Sequence, residues 1–339
     1  MSSAQPSPLG PKEVARDATW LAQALDPAQG MVRLVAMGRE SYRAASFLDD
    51  RLLQTTVDAH LVPWPPVEQA MAGDLRSDAR WIFHIGHVGS TLVSRMLGEI
   101  PGVLAIREPR LLRDLALSSP EVRAGYIGAV PKLMSRTFGA EEIACVKATS
   151  FVGEIAAELV PPDERALFMF ASPRNYVASI LAGENSVQEL RMLGESRAQR
   201  MAERVGTLAV RNDAELGAAA WACEMTSLEA AAEAMPDPQI AWADFDRMLK
   251  DMPAELARTA TFFGFSAEET DLRAIAEGPL MMRYSKAPEY EYSPALRSEL
   301  IAEASKAHDP EIDDALALLG RAAEKSPLLA RALERAGEA

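Results

Sequence analysis

Cysteine is scarce: two residues, Cys145 and Cys223, each inside an apolar stretch. Two thiols so placed exclude a disulfide framework and a cysteine-based metal knuckle, and both read as plain core thiols. No run reaches the 18 or so uninterrupted apolar residues that a membrane span requires. The start, M-S-S-A-Q-P-S-P-L-G-P-K-E, is polar and proline-rich and has no apolar leader segment, so a cytoplasmic protein without membrane partners is expected. Basic charge is also in deficit. Thirty-five Lys and Arg stand against 49 Asp and Glu, a net charge of −14, which speaks against a general nucleic-acid-binding surface. An anionic ligand must then be held by local basic residues and not by the field of the whole molecule. Internal repeats and low-complexity blocks are absent.

What is present suffices for a sizeable core: 339 residues, 48% of them apolar. Residues 1–12, with three prolines and four Ser or Gly, read as a flexible tail. Residues 13–78 read as a mostly helical N-terminal cap, with a helix over Val14–Leu25, a strand or helix turn over Met31–Met37, an amphipathic helix over 46–53 and a connector around Trp64. From residue 79 to 339 short apolar runs alternate with longer helical ones. That pattern predicts an α/β domain whose parallel sheet is flanked by helices on both faces. The expected strands are Trp81–Ile85, Val103–Ile106, Ile143–Ala148, Ala166–Ala171 and Gln239–Trp242. Two Ala-rich, charge-studded stretches, 187–210 and 213–235, read as solvent-facing helices. Further helices are expected near 253–263, 268–277, 294–306 and 310–336.

The most informative stretch is R-W-I-F-H-I-G-H-V-G-S-T-L-V-S-R-M-L, starting at Arg80. Trp81 to Ile85 suit a buried strand, Gly86 to Ser90 hold two glycines, and Leu92, Val93, Met96, Leu97 and Ile100 recur at helical spacing. Strand, glycine loop and helix together aim backbone N–H groups and the positive end of a helix dipole at one point, which suits a phosphate or sulfate. A tight turn capped by Ser90 and Thr91 is the alternative. A second strand, Val103 to Ile106, runs straight into Arg107, Glu108, Pro109 and Arg110. It thereby sets a carboxylate between guanidinium groups at the edge where parallel sheets bind ligands.

These residues resemble a family. H-V-G-S-T-L-V-S-R-M-L, then I-P-G-V and R-E-P-R, is similar to the 5′-phosphosulfate loop and the following acidic segment of P-loop sulfotransferases, in particular the branch with the protein-tyrosine sulfotransferases. F-A-S-P-R-N-Y-V-A-S (170–179) and A-W-A-D-F-D-R-M-L (241–249) continue the likeness, which spans roughly residues 80–290. It implies a P-loop type parallel sheet and sulfuryl transfer from 3′-phosphoadenosine-5′-phosphosulfate (PAPS), without metal, to a hydroxyl or amine of a small-molecule or peptide acceptor.

Carried over residue by residue, the resemblance places Gly86, His87, Val88, Gly89, Ser90 and Thr91 around the phosphosulfate. Glu108 becomes the general base and Arg110 helps to place the substrate. His87 stands where the family carries Lys or Arg; an imidazole could assist the leaving group, but its charge near neutral pH depends on its surroundings. Lys147, in the apolar run C-V-K-A-T-S, should reach an anion or a carboxylate, because lysine is almost never buried unpaired. The donor and Glu108 are its two candidates. Around the 3′-phosphate the chain has Ala171-Ser172-Pro173 where the family has an Arg-led sequence, so Arg174 and Ser179 are the candidates there. Arg283, Ser285 and Lys286 fall at the family's late basic loop, although its R-K-G-x-x-G sequence is absent.

Other classes stay open. ATP or GTP hydrolysis is disfavoured because no Lys precedes Ser90, as the nucleotide-triphosphate loop requires. His84-Ile85-Gly86-His87 together with Ser285-Lys286 loosely echoes the two ATP-binding signatures of class I aminoacyl-tRNA synthetases, but leaves the other matches unexplained. A non-catalytic nucleotide-binding or scaffold protein on a sulfotransferase fold is the main alternative, since fold does not guarantee activity.

Overall fold

A computed structural model of the chain describes residues 10–54, 57–236, 239–282 and 293–337. Its first three strands, β1 (Trp20–Asp26), β2 (Met31–Ala36) and β3 (Ala59–Pro63), form an antiparallel sheet in that order. Here the structure corrects the expectation of a mostly helical segment. The helix expected over Val14–Leu25 ends at Arg16, and W-L-A-Q-A-L-D continues as a strand that is buried from Leu21 to Leu25. An apolar run of that length fits a helix or a strand by pattern alone. Pairing decides it: β1 registers with β2 from Trp20↔Ala36 to Asp26↔Met31, and buried Gln23 is held by the Leu48 carbonyl and by Arg33.

The remaining strands, β4 (Arg80–His84), β5 (Val103–Arg107), β6 (Ile143–Lys147), β7 (Ala166–Phe170) and β8 (Ile240–Asp244), form one sheet in the order β5-β6-β4-β7-β8. Every pairing in it is parallel. The five expected strands are all present, within two residues at each end. Their sequences lack polar alternation because helices cover both faces; β7, A-L-F-M-F, is buried at every position. The chain adds β5 and β6 on one side of β4, then β7 and β8 on the other. The order therefore reverses at β4, and a crevice opens at its carboxyl end.

Of the two long helices, Glu184–Val205 is solvent-facing as expected, burying only Leu190 and Met201. Its partner Asp213–Ala234 is not: it is buried on nearly every side, including Glu215, Glu224 and Glu229. The charges that suggested solvent are instead paired across helices, Glu224 with Arg197 (3.3 Å) and Arg200 (2.5 Å), and Glu229 with Arg335 (2.5 Å). The expected 310–336 helix is two, Asp309–Ala323 and Pro327–Arg335, divided where Ser326 caps the second by accepting from the Leu329 N–H. Among the described residues no helix is long and apolar enough to cross a membrane.

Candidate active site

A cavity of about 360 Å³ opens at the carboxyl edge of the parallel sheet, lined by residues at or just after the ends of β4, β5, β6 and β8. Its floor is the loop after β4. Gly86, His87 and Gly89 all take left-handed backbone, with φ of 83°, 55° and 62°. Two internal bonds fix the loop's shape: the Gly86 N–H donates to His84 Nδ1 (3.0 Å), and the Tyr176 hydroxyl donates to the Ile85 carbonyl (3.2 Å). Gly89 must be glycine for a second reason, because a Cβ there would overlap the ring of Phe245. The helix Ser90–Leu97 then starts with no side-chain cap on its first turn. Its leading N–H groups have no intrahelical acceptor and carry the positive end of the dipole. Thr91 lines the same cavity, and its Oγ1 is buried without a hydrogen-bond partner among the described residues. A buried hydroxyl left so beside uncapped N–H groups is what an anionic oxygen would satisfy.

On one flank stand Glu108 and Lys147, both buried and both lining the cavity. Glu108 is the first residue after β5 and, like His87, has left-handed backbone, φ 54°. Its N–H donates to the Lys147 carbonyl (2.7 Å), so the strand ladder itself sets that turn. The Lys147 ammonium donates to Glu108 Oε1, and the Thr149 hydroxyl reaches Oε2 at 3.4 Å. Both carboxylate oxygens are thereby engaged from β6 and the turn after it.

The opposite wall is Phe245, at the end of β8, and the helix Pro294–Ala307, which contributes Leu296, Arg297, Leu300 and Ile301. Arg297 is the residue that sequence reasoning missed. Its Nη1 donates to Asp246 (2.9 Å), its guanidinium stacks 4.9 Å from the Phe245 ring centroid, and its Nη2 is buried with no partner among the described residues. Nothing local marks it, since only the return of a late helix brings it to the loop.

Of the residues expected at the site, His87, Val88, Gly89, Ser90, Thr91, Glu108, Lys147 and Ser179 line the cavity. His87 packs edge-on against Tyr176, and Ser179 Oγ donates to the Tyr176 carbonyl (2.8 Å). Gly86 shapes the loop from behind. Arg110 does not line the cavity: it donates to Asp50 (2.5 Å) and Asp114 (3.2 Å), and the Asp50 hydrogen bond raises its pKa above the ordinary arginine range. Arg174 is likewise outside, paired with Asp309 (3.0 Å) and Asp313 on the helix Asp309–Ala323. Arg283, Ser285 and Lys286 lie outside the described residues. No group of three or more His, Cys, Asp or Glu among the described residues is placed to hold a metal ion.

No family model matches the chain, and no curated protein matches it in sequence. Among solved structures it is similar to a mouse sulfotransferase complexed with PAP, 12% identical over 78% of this chain and 91% of that one, with a TM-score of 0.43. It is also similar to the sulfotransferase domain from the curacin biosynthetic pathway (12% identical, 65% and 85% covered, TM-score 0.40). A third is a sulfotransferase from Alicyclobacillus acidocaldarius (14% identical, 69% and 95% covered, TM-score 0.34).

Proposed function

We propose that this protein is a PAPS-dependent sulfotransferase acting on a hydroxyl or amine acceptor. The observation that carries the reading is one cavity holding both an unsatisfied anion cradle, made of the uncapped helix start and Thr91 Oγ1, and a buried carboxylate, Glu108. These residues fit the phosphosulfate end of the donor, which when bound supplies a sulfuryl group on a phosphate leaving group. The first-turn N–H groups of Ser90 and Thr91 and the Thr91 hydroxyl would hold the anionic oxygens. Glu108 would take the proton from the acceptor as its oxygen or nitrogen attacks, and Lys147 would hold that carboxylate in place. Such chemistry is mostly positioning plus charge stabilisation, with one base. His87, on the same loop, is the candidate to serve the leaving oxygen. Within the sulfotransferases, the likeness of the loop and of R-E-P-R to the protein-tyrosine branch makes a peptide acceptor the first class to assay.

The test is binding before turnover. PAP at about 100 times its Kd should stabilise the fold by about 2.7 kcal/mol, read as a thermal shift in the full chain. A melt unmoved by millimolar PAP but raised by ATP with magnesium would overturn the reading.

A further inference from the structure

A second cavity, of about 230 Å³, lies along the outer edge of β5, the strand that ends the parallel sheet, between the short helix Arg39–Ala44 and the end of the helix Ser90–Leu97. It shares no lining residue with the first, although the two meet at the end of β5, where Arg107 lines one and Glu108 the other. Four arginines line it. Arg39 and Arg43 have carboxylate partners, Glu142 and Glu99. Arg95 and Arg107 have none among the described residues. Arg107 donates to the carbonyls of Tyr42, Arg43 (3.1 Å) and Ala45 (2.8 Å), and Arg95 to the Ala44 carbonyl (3.4 Å) and the Ser46 hydroxyl (2.6 Å). These acceptors, at and just after the end of the helix Arg39–Ala44, are neutral and bring only partial negative charge to two full cations. Glu40, the remaining acid of the lining, is exposed and pairs with neither.

The free donors of this pair are also reachable. Nη1 of Arg95 and Nη1 of Arg107 make no hydrogen bond among the described residues, and neither atom is enclosed. Arg107 is only 2% exposed and lines the cavity, so what its Nη1 keeps open is the cavity side. Burial, and then the charge of Arg95, hold the pKa of Arg107 down at about 10, as expected of a cation that has a like neighbour and no counter-ion. Two guanidiniums so placed match the oxygens of an oxyanion. We propose that this cavity is a second ligand site, taking a small anion with a carboxylate, phosphate or sulfate group between Arg95 and Arg107. Its volume is below the roughly 300–1,000 Å³ that drug-sized ligands occupy, which limits the occupant to a compact anion and excludes a nucleotide. The site does not depend on what the first cavity binds.

Hydrogen exchange of the full chain, resolved by mass spectrometry and read separately over residues 39–46, 98–107 and 86–91, tests this with inorganic phosphate, sulfate and succinate against chloride at equal ionic strength. At about ten times its Kd, an anion bound here should slow exchange by local opening about tenfold over 39–46 and 98–107. Which of the three does so identifies the group recognised. Arg95→Gln should weaken that anion by about tenfold to a hundredfold, the worth of a charge-assisted hydrogen bond. Arg95→Lys, which keeps the charge but loses the fork, should weaken it less and covers the case in which the Gln variant does not fold. No slowing over 39–46 beyond that given by chloride overturns the proposal. So does slowing confined to 86–91, which would put the anion at the glycine loop alone and leave the proposed function standing. Slowing over 39–46 that is unchanged in a folded Arg95 variant overturns it as well, since the arginines would then serve only to hold the end of the helix.

Discussion

At Glu108 the backbone and the side chain make opposing demands. A non-glycine residue in left-handed conformation costs of order 1–3 kcal/mol, and a buried carboxylate costs more unless it is paired. The ladder bond from its N–H to Lys147 sustains the first and the Lys147 ammonium offsets the second. Removing the carboxylate therefore has two separable consequences. Glu108→Gln leaves Lys147 buried beside a neutral amide, so stability to urea should fall, by up to about 3–5 kcal/mol. If Glu108 is also the base, turnover of the folded fraction should drop by roughly 10² to 10⁴ while PAP affinity stays nearly constant. Loss of stability with turnover intact would reduce the residue to an ion-pair partner. Both members of this pair were legible in sequence, Glu108 as the carboxylate at a strand end and Lys147 as a cation inside an apolar run. The pairing itself rests on β5 and β6 being neighbours, which strand order alone determines.

Elements differ in how far sequence reveals them. The five parallel strands and the glycine loop are contiguous signals and were readable, because each depends on a run of eight residues or fewer. Arg174 and Arg297 were not, since one is drawn away and the other brought in by helices more than a hundred residues distant. The helix Asp213–Ala234 failed for another reason. Its glutamates look solvated in sequence, yet Glu224 is buried against Arg197 and Arg200 of the neighbouring helix. Glu224→Gln should then destabilise the protein by about 1–3 kcal/mol, because half-buried Arg197 loses its carboxylate and Arg200 keeps only Glu154. Glu203→Gln, on the exposed face of the adjoining helix, should change it by no more than about 0.5 kcal/mol. Equal small effects in urea denaturation would mean that the pairing is peripheral.

Across the whole molecule one buried apolar cluster runs from Val14 to Leu333 and joins both sheets to the C-terminal helices. Among the described residues, two thiols and two tyrosine hydroxyls lie inside the fold and hold their protons more firmly than in water. Burial pushes the thiols of Cys145 and Cys223 up to about 12, and raises the hydroxyls of Tyr42 and Tyr176 above the ordinary tyrosine range. The sign of the linkage follows from where each proton is lost. An unfolded chain gives up its thiol protons near 9.0 and its tyrosine protons near 10.0, whereas the native state holds them further. Between those limits the native state binds more protons, so this contribution to stability is fully present below about pH 9 and is lost as pH rises, by about 1.4 kcal/mol per unit for each group. The same titration adds negative charge to a chain already at −14, which works in the same direction. Urea midpoints should accordingly be flat from pH 7 to 8.5 and decline from pH 9 to 10.5. At pH 8 neither thiol of the folded protein should react with a disulfide reagent until urea opens the core, since the nucleophile is the thiolate and both sulfurs are buried. Rapid labelling of either cysteine in the native protein, or stability that rises above pH 9, would contradict the burial of these groups.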